Sequence, residues 1–334
     1  MAPSTGFFEA FRRLNVLVVG DIMIDRYLSG TVDRISPEAP VPVVHLRTRD
    51  SRLGGAANVA LNLSALGAKP YLCSVVGEDE NGEQVRALLP EAGLSARGLV
   101  RSAERLTTVK TRVLAASQQL LRVDQEDTHD LSAREAGQFL NTVRSLLEQR
   151  DIHAILFQDY NKGVLSEAVI REVILEAIKR DIPTVVDPKY RNFWAYKRST
   201  LFKPNLKEIR AQVPMPVEPT LESLLEANAY IHRKLENPIT LITLSDKGLF
   251  ISDQKEHYLL PTEPRAIADV CGAGDTVVSV AALGLAQQLP IREIAALANL
   301  AGGQVCERVG VVPVNKNQLM EEFQAWMARE QVKG

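Results

Sequence analysis

Asp275 closes the run Cys271-Gly272-Ala273-Gly274 and stands just before the apolar stretch Thr276-Val277-Val278. Small residues at 272–274 let backbone N–H groups come close to a ligand, and where a helix begins those N–H groups have no partner within it. Free donors and the helix dipole together favour an anion, phosphate above all. A carboxylate beside a phosphate repels it, so Asp275 calls for a different task. The chemistry open to it is to take a proton from a hydroxyl that attacks phosphorus. Gly272, Ala273 and Gly274 would then offer backbone donors to the charge on the transferred group. The plainer alternative is a Gly-rich turn whose Asp caps a helix.

Other residues suit the same chemistry. Gly54-Gly55-Ala56-Ala57-Asn58 opens a helical pattern, where the glycines allow a sugar ring to come close and Asn58 offers both donor and acceptor to hydroxyls. Asp25 follows the first apolar run, at the kind of strand end where doubly wound sheets gather ligands, and Asp21 shares that location. The Asp25 carboxylate could accept from two sugar hydroxyls, or it could be a solvated turn residue paired with Arg26. Lys110 and Arg112 fall on one strand face by their period-2 spacing, and Arg122 follows on the return strand. These cations, with Lys162 and Arg34, could hold a phosphate already on the substrate, Lys110 and Arg122 foremost, or they could form a solvated face.

An early GG-x-x-N, a middle Asn205-x-x-Glu208 and a late GAGD, in that order, resemble the ribokinase-like (PfkB) family of carbohydrate kinases across essentially the whole chain. Within it, Gly20-Asp21-Ile22-Met23-Ile24-Asp25-Arg26-Tyr27 and Arg34-Ile35-Ser36-Pro37-Glu38-Ala39-Pro40-Val41-Pro42 are similar to bacterial D-glycero-D-manno-heptose 7-phosphate kinases, in their monofunctional form. Asp159-Tyr160-Asn161-Lys162-Gly163-Val164-Leu165 and Ser117-Gln118-Gln119-Leu120-Leu121-Arg122 fit the same subgroup. The resemblance implies transfer of phosphate from ATP to the C1 hydroxyl of the heptose 7-phosphate, in ADP-heptose and lipopolysaccharide core synthesis. It favours Asp25 over Asp21 for the sugar.

The resemblance also implies that Asn205 and Glu208 position Mg2+ and phosphate through water, with Glu208 the carboxylate nearest the metal. Ser245, Lys247, Gly248, Asn299 and Gly303 match where the family holds nucleotide. Asp269 and Gly310 lie where some relatives bind K+. Relatives commonly carry Thr where Cys271 stands, so a hydroxyl contact is missing there. Some heptose kinases are fused to an adenylyltransferase with an H-x-G-H motif; that motif is absent, which implies a separate adenylyltransferase. Family members often dimerise through a β-lid over the sugar, so a homodimer is expected. Alternatives are a kinase of the same family for another sugar, sugar phosphate or nucleoside, and, more distantly, a non-catalytic sugar-phosphate sensor.

These residues need a scaffold that gathers them from distant parts of the chain. Strand and helix patterns alternate, as a parallel sheet with crossover helices requires. Residues 14–19 are an apolar run broken only by Asn15; Ala56, Ala60, Leu63 and Leu66 keep helical spacing, and strand patterns recur at 71–76, 154–157, 184–186, 240–244 and 249–252. Ser132-x-x-Glu135 is a capping box ahead of a helix ending near Arg150. Helices are expected over 167–179, 276–288 and 291–307, and Leu319, Phe323, Trp326 and Met327 mark a last one. Residues 27–47 and 107–124 break the alternation and read as short antiparallel strands outside the main sheet. The expected fold is α/β: one ribokinase-like domain over 1–334, a doubly wound and mostly parallel sheet flanked by helices, with a small β-lid from those two segments.

Bulk properties narrow the partners. With 39 Lys and Arg against 41 Asp and Glu, no overall charge argues for nucleic acid or a membrane surface. No run reaches the ~20 apolar residues of a membrane span. Cys73, Cys271 and Cys306 are too scattered for a disulfide framework or zinc site, and with an N-terminus lacking an apolar signal core they suggest the cytoplasm. Neither G-x-x-x-x-G-K-S/T nor G-x-G-x-x-G occurs, which disfavours a P-loop enzyme and a dinucleotide oxidoreductase.

Overall fold

A computed structural model describes residues 6–115 and 118–333, so Ser117 of the subgroup run lies outside the described residues. Thirteen strands are present: β1 (Asn15–Gly20), β2 (Ile22–Ile35), β3 (Pro42–Gly55), β4 (Lys69–Gly77), β5 (Leu99–Ser102), β6 (Val109–Ala115), β7 (Gln118–Gln125), β8 (Ala154–Gln158), β9 (Thr184–Asp187), β10 (Leu201–Phe202), β11 (Ile239–Thr243), β12 (Leu249–Ser252) and β13 (His257–Leu260). Among the described residues ten α-helices accompany these thirteen strands. They are α1 (Gly6–Ala10), α2 (Ala56–Ala65), α3 (Glu80–Glu91), α4 (Ala133–Gln149), α5 (Glu167–Lys179), α6 (Leu206–Gln212), α7 (Leu221–Leu235), α8 (Ala273–Ala286), α9 (Ile291–Cys306) and α10 (Lys316–Lys333).

Nine strands form one sheet in the order β13-β12-β11-β10-β9-β8-β1-β4-β5. Pairing is parallel from β5 through β11; only β12 and β13 add antiparallel edges. The apolar runs of β1 and β8 explain its two cores. Side chains alternate across a strand, so Val16, Val18, Ala154 and Leu156 face one layer while Leu17, Val19, Ile155 and Phe157 face the other. The first layer takes Phe8, Leu63, Val85, Leu283, Leu297 and Phe323 from α1, α2, α3, α8, α9 and α10. The second takes Phe139, Val173, Ile209 and Ile231 from α4 to α7. The capping box holds as expected: the Ser132 hydroxyl accepts from Glu135 N, and the Glu135 carboxylate accepts from Ser132 N.

The two segments that broke the alternation build a second sheet, in the order β3-β2-β6-β7. Here the structure corrects three expectations. β2 and β3 are 14 residues each, not short. They span 22–55, beyond the expected 27–47, and β6 and β7 reach 125. β2 pairs with β6 in parallel, not antiparallel. The cause is the start of β2: Ile22 to Asp25 are buried in the main body before the strand emerges. Asp21 anchors that exit. Its buried carboxylate accepts from the backbone N–H of Tyr160 (2.8 Å), Lys162 (3.1 Å) and Val164 (3.2 Å), which ties the end of β1 to the loop after β8.

Candidate active site

Gly272 sits at the N-terminus of α8 with φ 81°, a left-handed conformation that suits glycine. Asp275 lies in the first turn, where a carboxylate favours the helix dipole, and its side chain accepts hydrogen bonds from other parts of the chain. Its carboxylate is only 5% exposed. Oδ2 accepts from Asn58 Nδ2 at 2.7 Å, and Oδ1 accepts from Gln158 Nε2 at 3.0 Å and Tyr160 Oη at 2.8 Å. Three elements thus converge on one side chain: α2, the end of β8 and α8. Asn58 is there because α2 packs along α8 through a polar seam. Asn62 Nδ2 donates to Asn58 O (3.0 Å) and Thr276 Oγ1 to Asn62 Oδ1 (3.1 Å).

Burial pushes Asp275 up to about 6, with Asp187 adding to the rise, while the Asn58 and Tyr160 hydrogen bonds and Lys189 work against it. A carboxylate tuned toward neutrality is suited to take up a proton during a reaction. Charged groups crowd the same sheet edge. Lys203 pairs with Asp187 at 3.1 Å, and Lys189 pairs with Glu208 at 2.7 Å. All of them follow the carboxyl ends of β8, β9 and β10, where an open parallel sheet gathers its ligands.

The glycines at 54 and 55 answer first to the chain itself. A Cβ at Gly54 would lie 2.2 Å from Asp25 Oδ2, and one at Gly55 (φ 61°) would lie 2.3 Å from Asp21 O. Asp25 is not a solvated turn residue paired with Arg26. It lies within β2, 5% exposed, and pairs with Arg112 Nη1 at 2.6 Å. Arg26 instead donates to Asn81 and Gln84. Arg112 also lies over the Tyr27 ring, 5.4 Å from its centroid.

The candidate phosphate cations are not equivalent. Arg122 is half exposed and pairs with Asp124 at 2.9 Å, and Lys162 pairs with Glu126 at 2.7 Å. Lys110 has no ion pair among the described residues; its Nζ lies 5.9 Å from the Tyr160 ring centroid. Burial and the neighbouring Lys162 lower its pKa, so an anion there would relieve both costs.

Asn205 and Glu208 form a reciprocal capping box on α6, with Glu208 N to Asn205 Oδ1 at 2.8 Å and Asn205 N to Glu208 Oε2 at 2.9 Å. Ser245, Lys247 and Gly248 make the tight 3-10 turn between β11 and β12. Asn299 donates to Pro261 O at 2.7 Å, and Gly303 packs against Arg265. These residues do not touch Asp275. α9 nonetheless packs close to the glycine loop, because a Cβ at Gly302 would lie 3.9 Å from Ala273 O. Asp269 accepts from Cys271 N (3.0 Å) and Gly310 N (2.9 Å), which brings together the pair matched to a K+ site. Burial, with Asp269 beside it, pushes the Cys271 thiol up to about 11, so it is an unreactive thiol.

Gln158 and Lys203 escaped the sequence reading, and Tyr160 entered it only inside a longer run. The available signal was position: 158–160 directly follow the apolar run 154–157.

A first-turn carboxylate buried among three donors, beside a Gly-rich helix start at the carboxyl edge of a doubly wound sheet, is the arrangement that phosphoryl transfer would need. Residues 13–317 match the pfkB family of carbohydrate kinases, and the chain belongs to that family of ATP-dependent sugar phosphotransferases. It is 40% identical over 316 residues to the bifunctional protein HldE of Methylobacillus flagellatus and 41% identical over 318 residues to that of Citrifermentans bemidjiense. In each case 95% of this chain is covered but only 64% of the relative's length. Among solved structures, phosphofructokinase-2 of Escherichia coli in complex with potassium superposes with a TM-score of 0.76 at 20% identity, covering 94% of this chain and 99% of that one. Arabidopsis thaliana ribokinase complexed with ribose and ATP gives 0.72 at 18% identity, covering 93% and 98%. The fold is therefore ribokinase-like, as expected. Among the described residues no helix is long and apolar enough to cross a membrane.

Proposed function

We propose that this chain phosphorylates the C1 hydroxyl of D-glycero-D-manno-heptose 7-phosphate, with ATP as donor and Asp275 as general base, in the cytoplasm. The observation that carries the base assignment is the buried Asp275 carboxylate, which leaves α8 uncapped to meet Asn58, Gln158 and Tyr160. The heptose reading is supported by the sequence runs at 20–27 and 34–42, the likeness to proteins named HldE, and the unpaired Lys110 on the second sheet. In this reading Asp25 and Asn58 hold ring hydroxyls, Gly54 and Gly55 let the ring approach, and Lys110, with Arg122 and Lys162, holds the 7-phosphate. The Gly272 and Gly274 amides face the transferred phosphoryl group, Ala273 N–H donates to Val270 O at 3.4 Å and would have to leave it to join them, and residues 245–248, Asn299 and Gly303 flank the nucleotide.

Among the described residues no three acidic, His or Cys side chains gather into a metal cage. Both oxygens of Glu208 are already engaged by Lys189 and Asn205 N. Mg2+ keeps several waters and is held mainly by phosphates, so Glu208 would act on those waters and not as a direct ligand. Bound there, the metal would neutralise charge on the nucleotide, with Glu208 and Asn205 orienting its waters. Glu208→Gln is expected to raise the magnesium concentration for half-maximal rate; an unchanged dependence places the metal elsewhere. Asp269 and Gly310 are the candidate K+ position, tested by comparing rates in potassium and sodium salts. The second sheet exposes Ile35 (59%), Val41 (51%), Leu46 (50%) and Leu121 (56%), which supports the lid-to-lid homodimer. A monomer by sedimentation would remove that part of the reading.

The deciding experiment is a screen of ATP turnover against phosphorylated heptoses and hexoses, with the product identified by NMR. Faster turnover of fructose 6-phosphate or ribose would replace the heptose by another sugar of the same family. No turnover with any sugar would favour a sensor.

A further inference from the structure

We infer that Gln158 and Tyr160 are positioning residues that saturate Oδ1 of Asp275 and so assign proton uptake to Oδ2, the oxygen facing Asn58. The inference rests on Asp275 being the base.

A carboxylate oxygen offers about two lone-pair sites. Oδ1 has two donors, Gln158 Nε2 and Tyr160 Oη, whereas Oδ2 has one, Asn58 Nδ2. The remaining site is on Oδ2. As the acceptor hydroxyl bonds to phosphorus, the bond from phosphorus to the ADP oxygen breaks with its electron pair on ADP. The hydroxyl proton then passes to Oδ2.

Gln158 shows that this arrangement is held at a cost. Its Nε2 donates to Asp275 Oδ1 at 3.0 Å and to Asp187 Oδ2 at 3.2 Å, so one amide nitrogen serves two carboxylates. Its Oε1 is buried with no partner. Turning the amide over would aim that oxygen at both carboxylates, so the two bonds fix the orientation and the orphaned carbonyl is their consequence. Tyr160 is held protonated by burial and by Asp275 itself, and remains a donor.

The charged groups around the base come from several elements. Asp187 lies at the end of β9 with Lys203 paired to it, Lys189 and, on β6, Lys110 lie 5.5 and 5.9 Å from the Tyr160 ring centroid, and the charge of Asp25 on β2 also acts on Tyr160. α2 contributes only the neutral Asn58. Removing one neutral donor leaves this charge set intact but removes a hydrogen bond to the ionised form of Asp275. Its pKa then rises by roughly one unit.

The test is the pH profile of kcat/KM for Tyr160→Phe and Gln158→Met, with ATP, magnesium and heptose 7-phosphate as probes. The acid limb is expected to move up by about one pH unit in each variant, with most of the rate recovered above it. A uniform loss at every pH with the limb unmoved would make both residues structural and overturn the inference. Tyr160→Phe keeps the ring and its packing, and melting curves of both variants verify folding. If Asp275→Asn retains turnover, the base assignment itself fails. If Asp275→Asn is inactive while both variants keep the wild-type limb, only this inference fails.

Discussion

Asp275→Asn is expected to lower turnover at least ~10²–10⁴-fold while nucleotide still binds. Asn can keep the Oδ1 contacts: its carbonyl can accept from Gln158 and Tyr160, and its amide can face Asn58 if that side chain turns over. What it cannot do is accept a proton. A second readout separates loss of chemistry from loss of fold. In the folded protein Asp275 titrates at about 6, above its ordinary 3.8. Between those values the folded state binds more protons than the unfolded one, so this group's contribution to stability falls as pH rises through the window. Two pH units correspond to up to about 3 kcal/mol lost at neutral pH. The Asn variant removes that ionisation. It is expected to melt higher than wild type at pH 8, with the gap closing toward pH 4. An inactive variant that also melts lower at pH 8 would point to a structural role for the carboxylate. Near-wild-type turnover would remove Asp275 as the base.

Lys110→Met is expected to lower kcat/KM for heptose 7-phosphate by roughly 10–100-fold, the scale of a hydrogen bond to a charged group. The unphosphorylated heptose should lose no more than a few-fold. Of the candidate phosphate cations, Lys110 is the partly buried one with no ion pair among the described residues, so it has the most to gain from a phosphate. Binding energy from that remote group can orient the hydroxyl that faces the base. Arg122→Gln should have a smaller effect, because Arg122 is half exposed and already held by Asp124. Equal losses on both substrates for Lys110→Met would make it a structural cation and place the phosphate elsewhere.

How much of this was legible depends on how local each signal is. The apolar runs of β1 and β8, the Ser132 capping box, the helix start at 56 and the helix expected from 276, which begins at Ala273, all follow from short-range rules of periodicity, capping and backbone freedom. The candidate anion loop with Asp275 is local too, since it needs only small residues, a helix start and a carboxylate within a few positions. The sequence therefore determined the fold class and singled out the residue proposed as the base. It misjudged the second sheet because strand length and the β2–β6 partnership depend on what the chain packs against, and the buried start of β2 belongs to the main body. Asp25 shows the same limit: Arg26 is its neighbour in the chain, but Arg112, 87 residues away, is its partner. The clamp on Asp275 draws on Gln158 and Tyr160, 117 and 115 residues distant. Single hydrogen bonds leave no periodic trace. Only the stacking of β8, β9 and α8 brings those groups within 3 Å of Asp275, and it alone leaves Oδ2 with the single donor Asn58 while Oδ1 takes two.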